Sequence, residues 1–135
     1  MHSLLAKLQY RNQEEIHVLG APPEFAETLK ELRKTARVVT DPTSTAPVDF
    51  ALVFVRSRAE AQATAGPVLA RVTPTAPVWF AYPKKSSTRY VADITRDDGW
   101  QSLSKLGYRQ VSLVSINDDW SVLRFRRAED GGRKP

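Results

Sequence analysis

The chain has 135 residues, 41% of them hydrophobic and 26% charged, with only 6 Gly; this is the length and composition of one globular domain and excludes a collagen-like or broadly disordered polypeptide. Twenty basic against 15 acidic residues leave a formal charge of +5, and the excess lies wholly in residues 71 to 135, which hold twelve basic and seven acidic side chains against eight of each before them. Without cysteine there is no disulfide framework, thiolate nucleophile or cysteine metal site, a usage that fits a reducing cytoplasm.

Residues 1 to 13 read as an arm or short helix, with Leu4, Leu5 and Leu8 on one side. Lys7, Arg11, Glu14 and Glu15 follow too closely for a signal peptide. The segment from Glu15 to Leu19 predicts a strand stopped by Gly20-Ala21-Pro22-Pro23. A helix is expected next, since Pro23 suits a first turn and Phe25, Leu29 and Leu32 recur at helical spacing. A second strand is expected over Ala36 to Thr40, ended by Asp41-Pro42, and a loop from Pro42 to Pro47.

Phe50 to Val55 is apolar without alternation, as in a strand covered on both faces of a parallel sheet. Ser57, three residues before Glu60, matches a capping box for a helix from Arg58 towards Val72, with Gly66-Pro67 marking a kink or a division into two helices. Pro77 to Tyr82 is another continuous apolar strand, and the prolines at 74, 77 and 83 rule out a membrane span there. Beyond a polar loop from Lys84 to Arg96, Trp100, Leu103 and Leu106 predict a helix closed by Gly107. Gln110 to Ile116 and Trp120 to Arg127, separated only by Asn117-Asp118-Asp119, predict an antiparallel hairpin. Residues 128–135 read as a flexible tail. The expected organisation is thus one α/β domain over residues 14–127, a three-layer Rossmann-like arrangement with a mostly parallel sheet ending in an antiparallel hairpin.

Three stretches carry a resemblance: Phe50 to Ser57, Trp79 to Ser87 with its Tyr-Pro-Lys-x-Ser-Ser run, and Ile116 to Arg126 with Trp-Ser-x-Leu-Arg-Phe-Arg. On these the chain resembles a family of small bacterial proteins known only as a domain of unknown function, and that resemblance implies no activity. In shape the chain also resembles S-adenosylmethionine-dependent methyltransferases. That resemblance implies a strand order of 2-1-3-4-6-5, a cofactor turn at Gly20-Ala21-Pro22 and an acidic cofactor contact near Asp41. The chain departs from it at Pro22 and Pro23, which stand where glycines would let backbone approach the cofactor.

No Walker loop, nucleophile elbow or metal-binding motif occurs, and only two histidines, His2 and His17, are present. His2 is expected to be exposed, and His17 to pack or hydrogen-bond within the sheet. Asp118 and Asp119 are adjacent on a turn and are expected to point apart. The reading is therefore a non-enzymatic domain without cofactor or metal.

In an open parallel sheet ligands bind beyond the carboxyl ends of the strands. Those ends gather Gly20, Asp41, Arg56, Ser57, Lys84, Lys85, Ser86 and Ser87, the residue types for an anionic small molecule or nucleotide. Loop and cap roles alone also account for them. One alternative is a homodimeric interaction module using Trp120 with Trp100 or the Leu4, Leu5, Leu8 arm. Another is a nucleic-acid surface on Trp120, Val122, Arg124 and Arg126, which share one strand face; the last is a degenerate methyltransferase-like protein.

Overall fold

The computed structural model describes residues 3–41 and 43–128; the predicted tail beyond Ala128 and His2 lie outside them. Strand β1 (Glu15–Leu19) pairs in parallel with β2 (Arg37–Val39) and with β3 (Ala51–Phe54), and β3 pairs in parallel with β4 (Val78–Pro83). Strand β6 (Trp120–Arg127) runs antiparallel to β4 and to the edge strand β5 (Tyr108–Ser115). The order is β2-β1-β3-β4-β6-β5, as the methyltransferase resemblance implied. The architecture is a mostly parallel three-layer α/β sheet ending in an antiparallel hairpin. No helix among the described residues is long and apolar enough to cross a membrane.

Period-two alternation sorts the strand side chains into two cores. Ile16, Val18, Leu52, Phe54, Trp79 and Val122 face one layer, made by α1 (Ser3–Lys7) and α2 (Ala26–Arg33). Leu19, Val53, Phe80, Tyr82, Leu123 and Phe125 face the other, made by α3 (Arg58–Leu69) and α4 (Gln101–Lys105). Both faces of β3 and β4 are covered, which is why their sequences are apolar without alternation. The N-terminal helix belongs to the first core: Leu4, Leu5 and Leu8 are buried, and the Trp79 indole donates to the Leu8 carbonyl at 3.0 Å.

Three expectations change at their boundaries. Helix α3 runs unbroken through Gly66-Pro67 and stops at Leu69, short of Val72. The Ala70 amide still reaches the Gly66 carbonyl at 3.0 Å, but Val72 is then drawn into an isolated parallel bridge with Val48, which pulls the chain into extended form. Helix α4 has only five residues, so Leu106 falls past its end and is half exposed; Gly107 takes a φ of +89° where the chain turns into β5. Strand β5 begins two residues earlier than expected, with an irregular register between Gln110 and Ser112.

Candidate functional site

The order reverses between β1 and β3, so a crevice for a ligand belongs beyond their carboxyl ends. Gly20 occupies that point with φ +72°, and a Cβ there would stand 2.7 Å from the Phe54 carbonyl oxygen. The turn after β1 is thus pressed onto the end of β3, which only glycine allows. Arg56 closes the same point with side-chain atoms: its Nη2 donates to the Gly20 carbonyl at 3.2 Å, and its guanidinium lies 5.7 Å from the centroid of the Trp120 ring. Glu60 holds Arg56 from below, accepting its backbone amide at 2.9 Å and pairing with its guanidinium at 3.7 Å.

A second group of side chains covers the same ground. The Tyr90 hydroxyl donates to Glu24, the Trp120 indole donates to the same carboxylate oxygen at 3.4 Å, and Tyr90 and Trp120 meet edge-on at 5.0 Å. Burial alone would raise the Glu24 carboxyl, but the hydrogen bonds from Tyr90 and Trp120, with Arg89 nearby, hold it below the usual carboxylate range. Burial and the Glu24 carboxylate push the Tyr90 phenol up. Glu24 and Tyr90 were not among the sequence candidates, and Trp120 was one only for a dimer contact or a nucleic-acid surface. Tyr90 and Trp120 lie 66 and 96 residues from Glu24, and no local pattern announces such a cluster.

The eight sequence candidates divide. Gly20 and Arg56 meet at the switch point. Ser57 caps α3, accepting the Glu60 amide at 3.1 Å. Ser87 donates to Asp119 at 2.8 Å and receives the amides of Arg89 and Tyr90, which ties the loop after β4 to the hairpin turn. Asp41, past β2, accepts the Thr43 hydroxyl and amide, and these bonds hold its carboxyl low. Lys84, Lys85 and Ser86 line a separate cavity of about 420 Å³ beyond the end of β4, with Tyr82, Arg96, Asp97 and Ser121. Lys84 is held there by its amide on the Asp119 carbonyl at 2.8 Å and its Nζ on Ser115 at 2.7 Å.

Other expectations resolve at single residues. Asp118 is exposed while Asp119 is engaged with Ser87 and Arg89, so the two do not act as a pair. Trp120 and Trp100 are buried on opposite faces of the sheet, at 1% and 5% exposure, and cannot form the shared contact patch; Leu4, Leu5 and Leu8 are used by the core. The same burial removes Trp120 as a stacking platform for bases. Arg124 does share the face of Trp120 and Val122, with its guanidinium 6.0 Å from the Trp79 ring. His17 packs inside the sheet at 1% exposure with neither ring nitrogen hydrogen-bonded, and burial lowers its pKa. Among the described residues no group of three His, Asp or Glu side chains could hold a metal ion.

No family model and no curated protein matches the chain. Among solved structures it is similar in fold to methyltransferases throughout its length. The N-methyltransferase NodS from Bradyrhizobium japonicum WM9 superposes with a TM-score of 0.57 at 12% identity, covering 95% of this chain and 94% of that one. A SAM-dependent methyltransferase from Aquifex aeolicus gives 0.58 at 13% identity, with 91% and 87% covered. Magnesium protoporphyrin IX methyltransferase from Synechocystis PCC 6803, solved with bound SAH, gives 0.61 at 9% identity, with 93% and 78% covered. The chain therefore has the fold of the S-adenosylmethionine-dependent methyltransferases.

Proposed function

We propose that this chain is a degenerate methyltransferase-fold domain, a non-enzymatic binding module that has kept the sheet and given up the cofactor crevice. The observation that carries the reading is the contact at the switch point, where Gly20 abuts the Phe54 carbonyl and Arg56 bridges to the Gly20 carbonyl. A cofactor placed across β1 and β3 would have to break that bond and separate Glu24 and Tyr90 from Trp120. Pro22 and Pro23 add to this, since they remove two amides from the turn that would otherwise face the ligand.

Binding then falls to the neighbouring cavity. Lys84, Lys85 and Arg96 face one carboxylate, Asp97, and the Tyr82 and Ser121 hydroxyls are present to orient an anion such as a nucleotide phosphate. One amide-shift titration tests both parts. S-adenosylmethionine is expected to give no saturable shifts at Gly20, Ala21 or Arg56, and a mononucleotide is expected to give saturable shifts at Lys84 to Ser86 that Lys84→Ala removes. Micromolar S-adenosylmethionine binding with shifts at Gly20 and Arg56 would restore an active methyltransferase reading.

A further inference from the structure

A basic feature that this reading leaves unused lies at the end of the sheet away from Lys84, on the Trp79 face of β5 and β6. The antiparallel register fixes its members. Trp79 stands opposite Arg124 and Arg109 stands opposite Arg126, so with alternate residues of β6 on one side, Arg109, Arg124 and Arg126 share this face. The N-terminal arm adds a fourth arginine. The Trp79 indole holds the Leu8 carbonyl at 3.0 Å, and just beyond Leu8 the arm turns through Gln9 and Asn12, at φ +64° and +65°, with Arg11 exposed between them. Tyr10 pins that turn: its amide donates to the Leu5 carbonyl at 2.9 Å, its hydroxyl donates to the Gln13 carbonyl at 2.6 Å, and its ring meets Phe50 edge-on.

These four side chains carry one sign of charge. Among the described residues none of them forms an ion pair, and Glu15, where the arm enters β1, is taken by Arg37 at 3.4 Å. Arg109 and Arg126 are like charges directly opposite each other on adjacent strands, an arrangement that costs a sheet stability. Arg124 lies with its guanidinium 6.0 Å from the Trp79 ring and has a buried Nε without a hydrogen-bond acceptor. Burial, then Arg126 and Arg11, lower its guanidinium pKa, which expresses the same crowding of positive charge. Arg11, Arg109 and Arg126 are exposed and Arg124 half-buried, so a bound anion could relieve the crowding from the solvent side.

The layout selects among anions. Arginines opposite one another on paired strands, or two apart on one strand, start about 5–7 Å apart at the backbone, so the charges are spread over a surface and suit a row of phosphates better than a single one. The aromatic residues of this face, Trp79 and Tyr10, are 1% and 8% exposed and offer no ring on which an unpaired base could stack. A protein partner or a membrane would call for an apolar anchor among the charges. Leu113, exposed on β5, pairs with Leu123 and belongs to the other face, whereas the residue opposite Arg124 on β5 is the exposed Ser112. We propose that this face binds the phosphodiester backbone of double-stranded nucleic acid irrespective of its sequence, with Arg11, Arg109, Arg124 and Arg126 each at a phosphate. Guanidinium forks match phosphate oxygens, and contacts of this kind position a duplex without reading its bases. The face is separate from the cavity at Lys84 and does not depend on the fate of the cofactor crevice.

The test is fluorescence anisotropy of the full chain with a labelled short DNA duplex, an RNA duplex of the same sequence and the separate strands, at salt concentrations between about 50 and 200 mM. The logarithm of the duplex affinity is expected to fall against that of the salt concentration with a slope of about 3–4, the value for four phosphate contacts at about 0.9 each, and a duplex of unrelated sequence should behave alike. Arg109→Gln and Arg126→Gln, both at exposed positions, should each flatten the slope by about 1 and weaken binding about fivefold at the lowest salt. Lys105→Gln removes the same charge from the exposed end of α4, in the opposite layer, and should change neither. Binding of either duplex on these terms supports the proposal, and the tighter one identifies DNA or RNA as the source. Equal losses in Lys105→Gln and Arg126→Gln would mean attraction by net charge alone and overturn it. So would a slope that neither arginine variant alters, a single strand bound more tightly than both duplexes, tighter binding of poly-glutamate or of phosphatidylserine vesicles, or no binding of either duplex at the lowest salt.

Discussion

Replacing His17 by Leu should stabilise the protein, and by more at pH 5 than at pH 8. His17 lies in β1 between Val39 and Ala51 of the flanking strands, 1% exposed, with both imidazole nitrogens unpaired. A buried polar group without a partner costs about 1–3 kcal/mol, and leucine has nearly the same volume, so the net gain at pH 8 should be about 1–2 kcal/mol. The pH dependence follows from linkage. Burial, with Arg71 adding to it against the opposite pull of Glu15 and Asp49, lowers the folded pKa from its ordinary value. Above the unfolded value of about 6.5 both states are neutral and the group adds no pH dependence. As pH falls below that, the unfolded chain takes up a proton that the folded chain refuses, and stability drops by up to about 1.4 kcal/mol per pH unit until the folded pKa is reached. At pH 5 the loss is bounded at about 2 kcal/mol, and the Leu variant escapes it. Urea unfolding of both proteins at half-unit steps from pH 8 to 5 measures each part. Parallel stability curves below pH 7, or a variant less stable than the parent at pH 8 by more than about 1 kcal/mol, would refute the reasoning.

Gly20→Ala should lower stability by about 2–3 kcal/mol, since a left-handed φ costs an alanine about 1 kcal/mol and the new Cβ must be relieved from 2.7 Å against a backbone oxygen. Calorimetry should then show a melting temperature about 6–12 °C lower, and an unchanged one would mean that the turn is not packed as described. Ser57→Ala should cost about 1 kcal/mol through loss of the cap on the Glu60 amide, with Ser57→Asp recovering most of it in the same denaturation assay.

The strands were legible because their environment is written into single stretches of sequence. A strand covered on both faces must be apolar throughout, and β3 and β4 are; a strand covered on both faces only near its start must lose that character, and β6 turns to Arg124, Arg126 and Arg127 as it runs out. Capping at Ser57 was equally local, since donor and acceptor are three residues apart. The end of α3 was not, because what stops it is Val48, more than twenty residues earlier in the chain. Tertiary pairing there overrides a helical pattern that continues in the sequence.

The same distinction explains the site. Placing polar residues at the carboxyl ends of strands needs only the strand boundaries, so the sequence could name Gly20, Arg56 and Lys84 as neighbours of the crevice. Whether such residues leave space between them depends on side chains that arrive from elsewhere. Glu24 comes from the turn after β1, Tyr90 from the loop after β4, and Trp120 from the first position of β6; their meeting requires the hairpin to lie beside β4, a consequence of topology that no short window contains. The basic face at the other end has the same origin. Arg109 and Arg126 are brought face to face by the hairpin register, and Thr73 and Thr75 by the turn that the Val48 bridge fixes, so charges that read as a solvated strand end come to lie beside a concave surface only once the sheet is assembled.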